Sequence, residues 1–347
     1  MKRPQVKRTV FMLKFLTKAQ LKWLTFFAGA AVFLALAGIF PLAKIYGIYF
    51  PHYDEILNVE VPAGVFLAQQ NQPISGIKVQ AGHFKGLESL YSIVGYDLHK
   101  VRRNQQAVPR LFLQSVPENL SKMRNIAARK NLFVASVLPL ILSANREIIK
   151  ERQWLLKIKQ KQNSGQNLLP DESHMLEDLA DKYQADANVK MLLKKVDVLP
   201  VSLALAQAIE ESGWGTSRFA QQGNALFGQQ VFSEKASGFV PENRGRGKIH
   251  RVGKFSNLYA SVKSYMKNLN THFAYAGFRN QRAIARQNAE ILDSISLANS
   301  LTSYSERRKD YAASLQVLIL SNKLQALDTA QLQSSPKPVL RTAFAPL

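Results

Sequence analysis

The chain is 347 residues long, with 46 Lys and Arg against 24 Asp and Glu, a formal balance of +22, and an apolar share of 46% that excludes a wholly disordered polymer. It contains no Cys, which excludes a disulfide scaffold, a thiolate nucleophile and a Cys-based zinc site. The charge excess calls for a negatively charged partner, and nucleic acid, anionic membrane surfaces and acidic polymers all answer to it.

The distribution of charge narrows that choice. Lys2, Arg3, Lys7, Arg8, Lys14, Lys18 and Lys22 precede the first long apolar run, and the first acidic residue is Asp54. Residues 23–43, WLTFFAGAAVFLALAGIFPLA, carry no charge and lie between Lys22 and Lys44. A run of about 20 such residues is what a helix needs to cross a bilayer. The basic segment 1–22 is expected to stay in the cytoplasm, so everything after Lys44 faces outward. Trp23, Tyr46 and Tyr49 suit the two interfacial belts. This predicts a single-pass inner-membrane protein with a periplasmic C-terminal domain, and it argues against a nucleic-acid partner. A cleaved signal peptide, with Ala35-Leu36-Ala37 as its small-residue site, is the competing expectation; a buried soluble helix is a third.

Residues 44–104 alternate loosely and are broken by Gly, which predicts a stalk or small mixed module. Residues 105–165 read as a helical module: the Pro-bounded VPRLFLQSVP is extended, and Ser121 to Lys161 is helical, with Pro139 expected to kink or divide it. QNSGQNLLPDES, residues 162–173, reads as a linker, so a separate domain is placed at 166–330 and a flexible tail at 331–347. Within that domain, Met175 to Tyr183 and Val189 to Lys195 are short helices. Pro200 opens a strongly apolar one. Residues 226–256 form a hairpin lobe, and amphipathic helices follow around Val262 to Leu269 and Tyr311 to Ile319.

The apolar helix ends in an unusual way: Ala206-Gln207-Ala208-Ile209-Glu210-Glu211-Ser212-Gly213-Trp214-Gly215. Gln207 and Glu211, four residues apart, share a face. A carboxylate at a helix C-terminus lies near the negative end of the dipole, and partial burial disfavours its ionisation further. Both effects raise its pKa, which suits a general acid at neutral pH. Trp214 between two glycines has the chemistry to wall a groove and stack on a sugar face. A frayed end with two solvated Glu and a core Trp is the bland alternative.

Glu-Ser-Gly-Trp-Gly-Thr-Ser-Arg-Phe-Ala, followed by Gly223-Asn224-Ala225-Leu226-Phe227-Gly228, resembles the core signature of the FlgJ-like endo-β-N-acetylglucosaminidases, glycoside hydrolase family 73, and within it the Bax-type bacterial membrane proteins. The similarity runs from about Val108 to Asn322 and takes in PRLFLQSVPENL, LPLILSANREI, YMKNLNTHFAYAGFR and YSERRKDYAASLQVLI. The resemblance implies a mainly α (α+β), lysozyme-like domain with a small β hairpin lobe and a groove between them. It also implies cleavage of the β-1,4 bond on the reducing side of N-acetylglucosamine in peptidoglycan glycan strands, with Glu211 as catalytic acid. Tyr304 matches the family's functional Tyr. Gln207, Trp214, Asn224, Phe227, Tyr275 and Tyr311 are the expected groove residues, each with core packing as its alternative. Glu210 stands where relatives often carry an apolar residue and is expected to raise the pKa of Glu211 by like-charge repulsion.

One departure matters. Many relatives place a second carboxylate on the β hairpin, whereas Arg244-Gly245-Arg246-Gly247-Lys248-Ile249-His250-Arg251 has none. Glu234 and Glu242 are nearby, and the substrate's acetamido group is an alternative helper, with Tyr304 positioning it or a water. The hairpin's cations read as a solvated loop or as a contact for acidic stem peptides. No cofactor or metal is expected: the six His residues lie too far apart for a local ligand motif, and no phosphate loop or nucleophile elbow occurs. Two competing functions stay open, a lytic transglycosylase on the same fold and a non-catalytic wall-binding or scaffold protein.

Overall fold

The computed structural model describes residues 65–70, 76–231, 238–239 and 251–334. The N-terminal basic segment, the apolar run 23–43, Glu234, Glu242, residues 240–250 and residues 335–347 lie outside the described residues.

Within the stretch expected as a stalk or small mixed module, the described residues form strands and helices, and those from Val79 on enter the main core. Strands β1 (Val65–Gln70) and β2 (Gly76–Ala81) pair antiparallel, and β3 (Leu111–Leu113) adds to β2 in parallel. Helix α1 (Phe84–Ile93) follows, capped by His83, whose Nδ1 accepts from the Lys85 N–H at 3.1 Å. Asp97 caps α2 (Leu98–Arg102) in the same way. Val79, Leu87, Leu90, Leu98 and Val101 are buried in the hydrophobic cluster that also holds the later helices.

Helix α3 (Ile126–Asn163) organises the molecule. It packs on β3, α5 (Val189–Lys195), α6 (Val201–Ser212) and α8 (Leu258–Thr271). Among the described residues it is the one helix long and apolar enough to cross a membrane, yet 78% of its apolar window is buried within the protein, as in a core helix. Pro139 does not divide it. Proline removes the N–H that would reach the carbonyl of residue 135, and the Tyr96 hydroxyl donates to that Ala135 oxygen instead, at 3.1 Å. The lost bond is replaced from α1's side of the fold, so 38 residues remain one helix.

Residues on both sides of the expected 162–173 linker therefore share one core. The stretch is only in part a turn, because α4 (Pro170–Tyr183) starts inside it, with Pro170 in its first turn and Glu172 accepting from the Leu169 N–H at 2.8 Å. After α6 come α7 (Arg218–Gly223) and a small antiparallel sheet of β4 (Gln230–Val231), β6 (Arg251–Gly253) and β5 (Gly238–Phe239), in that order. Helices α8, α9 (Ala276–Gln287), α10 (Ser294–Ala298) and α11 (Lys309–Ser321) complete the body. The fold class is the expected one, mainly α with a small β lobe.

The start of the tail is tied down, not frayed. Val108 forms a parallel bridge with Leu332: its N–H reaches the Gln331 carbonyl at 2.7 Å, and the Gln333 N–H reaches its carbonyl at 2.9 Å. Arg110 Nε adds a bond to the Gln333 carbonyl at 2.6 Å. Backbone groups of β3's approach strand thus pin residues 331–333.

Candidate active site

Helix α6 is apolar on every side, and residues 201–209 are all buried, between α3, α10 and α11. Its first N–H groups, which lack intrahelical partners, are capped from a distance by Asp328, which accepts from the Ser202 N–H at 2.8 Å and its hydroxyl at 2.7 Å. Gly213, at φ +57°, stops the helix in the left-handed region that favours glycine. Burial of residues 201–209 fixes where its last turn points.

That turn carries Glu211, half-buried. Burial pushes its carboxyl up to about 7. A hydrogen bond from Tyr311 and the nearby Arg307 pull the other way, and Glu210 adds a smaller upward push. The like-charge effect expected of Glu210 is present but secondary to burial, and Arg307 Nη2 is paired with Glu210 Oε1.

The face shared by Gln207 and Glu211 has a physical purpose. The Tyr265 hydroxyl donates to Gln207 Oε1 at 2.6 Å, Gln207 Nε2 donates to the Tyr311 oxygen at 3.0 Å, and the Tyr311 hydroxyl serves Glu211. The series is directed, each group donating a hydrogen bond one step toward the carboxylate. Burial raises the pKa of both Tyr311 and Tyr265, which keeps them as neutral donors. Gln207 is fully buried and Tyr311 nearly so, which makes them supports of Glu211 more than surfaces for a ligand.

Aromatic rings back this arrangement. Phe227 stacks on Tyr265 with centroids 3.9 Å apart and planes 5° apart, and Tyr304 stacks on Tyr311 at 5.5 Å and 6°. Tyr275 lies 5.8 Å from Tyr304. The Tyr304 hydroxyl donates to the Phe227 carbonyl at 2.9 Å, which leaves its lone pairs as acceptors. Next to Phe227 comes Gly228, at φ +58°, where the Glu211 carboxylate occupies the space a β-carbon would need.

The other expected groove residues sit elsewhere. Asn224 ends α7 in the left-handed region and donates to the Phe255 carbonyl at 3.1 Å, tying the β lobe to α7. Trp214 packs on Phe133 of α3, with Lys130 Nζ 4.7 Å from its ring centroid. Sequence reasoning missed Tyr265, Gly228 and Arg307 as neighbours of the acid. Tyr265 reads as one more apolar position of α8, and Arg307 as one cation of a basic turn; only Gly228, at the end of the motif, carried a local signal.

A family model described as glucosaminidase, mannosyl-glycoprotein endo-beta-N-acetylglucosaminidase, matches residues 186–324, the span that holds Glu211 and its aromatic neighbours. The chain is 35% identical over 204 residues to Protein bax of Escherichia coli strain K12, covering 57% of this chain and 70% of that one. A solved structure, the catalytic domain of the autolysin Auto from Listeria monocytogenes, aligns with a TM-score of 0.33 and 17% identity over 67% of this chain and 98% of its own. On the family match and the Bax similarity together, the chain belongs to the Bax-type, FlgJ-like glucosaminidases and is a glycoside hydrolase of the endo-β-N-acetylglucosaminidase class.

Proposed function

We propose that the protein is a membrane-anchored peptidoglycan hydrolase that cleaves the β-1,4 bond on the reducing side of N-acetylglucosamine, with Glu211 as general acid. The observation that carries this reading is the environment of Glu211: a half-buried carboxyl at about pKa 7, held by a Tyr311 hydroxyl and close beside Gly228. A carboxyl with that pKa holds its proton on a good fraction of molecules at neutral pH and gives it readily to a leaving oxygen. As the glycosidic C–O bond breaks, Glu211 protonates the departing sugar oxygen. Water then adds to the anomeric carbon, and the Glu211 carboxylate takes up the water's proton.

Among the described residues Glu210 is the carboxylate next to Glu211, and it is paired with Arg307. The stretch 244–251 carries no carboxylate, and the reading includes assistance by the substrate's own acetamido group, with Tyr304 offering acceptor lone pairs to the acetamido N–H. The uncharged run 23–43 and the cations before it support an anchor with the enzyme on the outer side of the inner membrane.

The test compares the full chain with Glu211→Gln on purified peptidoglycan, alongside thermal unfolding. Release of soluble glycan should fall by about two to four orders of magnitude in the variant, with folding intact. Undiminished release by a folded variant contradicts the assignment.

A further inference from the structure

A cavity of about 320 Å³ opens where α2, the start of α3, Trp214 and the end of α11 meet. Its lining includes His99, Arg102, Lys130 and Lys323, and no carboxylate. Arg102 is already engaged, donating to the carbonyls of Asn322 at 3.0 Å and Lys323 at 2.6 Å, where it offsets the negative end of α11. Lys130 and Lys323 have no ion-pair partner among the described residues. Lys130 rests on the face of Trp214, so an indole and uncompensated ammonium groups line the same space.

The backbone supports a functional purpose for this wall. Gly213, Trp214 and Gly215 have φ values of +57°, +60° and +74°. Trp214 is a bulky residue in a region that side chains avoid, and such strain persists where the surroundings enforce it. A β-carbon at Gly215 would stand 2.9 Å from Phe133 Cδ2, so the turn is clamped on α3 with the indole beside the cavity. Trp214 follows Glu211 by three residues, at most about 11 Å of extended backbone. The Trp214 edge of the cavity therefore starts within that length of backbone from the acid. Six of its ten lining residues precede residue 186, outside the span of the family match.

We infer that this Trp-walled, basic cavity is a subsite for a carboxylate-bearing group carried on the glycan strand. The inference rests on peptidoglycan being the substrate. Two sources share that chemistry, the lactyl carboxylate of a sugar that has lost its stem and the carboxylates of the stem peptide. The indole packs against the apolar part of the group while the lysines meet its charge.

The experiment measures binding by the full chain in the Glu211→Gln form, with and without Lys130→Gln and Lys323→Gln. Calorimetry is run with peptide-bearing strand fragments, stem-stripped fragments that keep the lactyl carboxylate, and neutral N-acetylglucosamine oligomers. The lysine changes should weaken binding of carboxylate-bearing fragments about tenfold and leave the neutral oligomers unaffected. Loss with stem-stripped fragments alone names the lactyl group, whose carboxyl is a neutral amide in peptide-bearing fragments; loss with peptide-bearing fragments alone names the stem; loss with both shows a subsite that takes either carboxylate. Equal affinity before and after the change, an equal loss with neutral oligomers, or no binding of any fragment overturns the subsite. Failure of the glucosaminidase reading shows separately, as no cleavage of any of the three by the unaltered chain.

Discussion

Gly228 lies so close to Glu211 that a β-carbon at position 228 would stand 2.6 Å from Glu211 Oε2. The same residue has φ +58°, where an L side chain is strained. Gly228→Ala should therefore lose about 1–2 kcal/mol of stability. It should also displace the acid and cut cleavage on the order of tenfold to a hundredfold. Denaturant unfolding and glycan release check the two effects, and a variant with full activity would separate Gly228 from the site.

The acid itself should destabilise the fold when ionised. Its carboxyl rises from an ordinary 4.5 to about 7 on folding. Between those values the folded chain holds a proton that the unfolded chain lacks, so this group's contribution is greatest at low pH and falls as pH rises toward 7. Glu211→Gln removes that slope. Its stability relative to the unaltered chain should grow from pH 4.5 to pH 8 by up to about 3 kcal/mol. Unfolding curves at several pH values measure it, and a pH-independent difference would contradict the burial of the acid.

Glu210 and Arg307 should tune the acid in opposite directions. Glu210 raises the Glu211 pKa and Arg307 lowers it. Activity depends on a protonated Glu211, so its alkaline limb follows this pKa. Glu210→Gln should move the limb to lower pH and Arg307→Ala to higher pH, each by a fraction of a unit. The pair is surface-facing, so raised salt should shrink both shifts. Movement of both variants in one direction would contradict the geometry.

Far from the acid, Asp197 anchors three arginines. It accepts from Arg286 Nε and Nη2, each at 3.0 Å, and neighbours Arg152 and fully buried Arg282. Arg282 also donates to the carbonyls of Lys194, Lys195, Asp197 and Val198 at 3.0–3.2 Å. Asp197→Ala leaves buried positive charge uncompensated and should cost about 3–5 kcal/mol in denaturant unfolding. A change within about 0.5 kcal/mol would show the arginines satisfied by carbonyls alone.

The parts of the fold set by local pattern were legible in the sequence. Helix α6 is one: Pro200 opens it, Gly213 stops it, and its apolar run has nowhere to go but the core. The spacing of Gln207 and Glu211 also announced a common face, although the Tyr311 that bridges them comes from a helix 100 residues later. What stayed hidden depends on partners distant in sequence. Pro139 looks like a breaker until the Tyr96 hydroxyl takes the orphaned Ala135 carbonyl. Arg282 looks like a solvated residue until four carbonyls of the 194–198 segment surround it. Leu332 looks like frayed tail until Val108 pairs with it. Trp214 has the composition of a groove residue, and its contact with Phe133 and Lys130 is decided by the run of three left-handed residues, 213–215, to which it belongs.

The most direct measurement is mass spectrometry of the sugars released from purified peptidoglycan by the full chain and by its Glu211→Gln variant. Fragments ending in reducing N-acetylglucosamine, made by the unaltered chain and absent with the variant, are the predicted result. Anhydro-muramyl ends would instead mark a transglycosylase, and undiminished release by the variant would remove Glu211 from the chemistry.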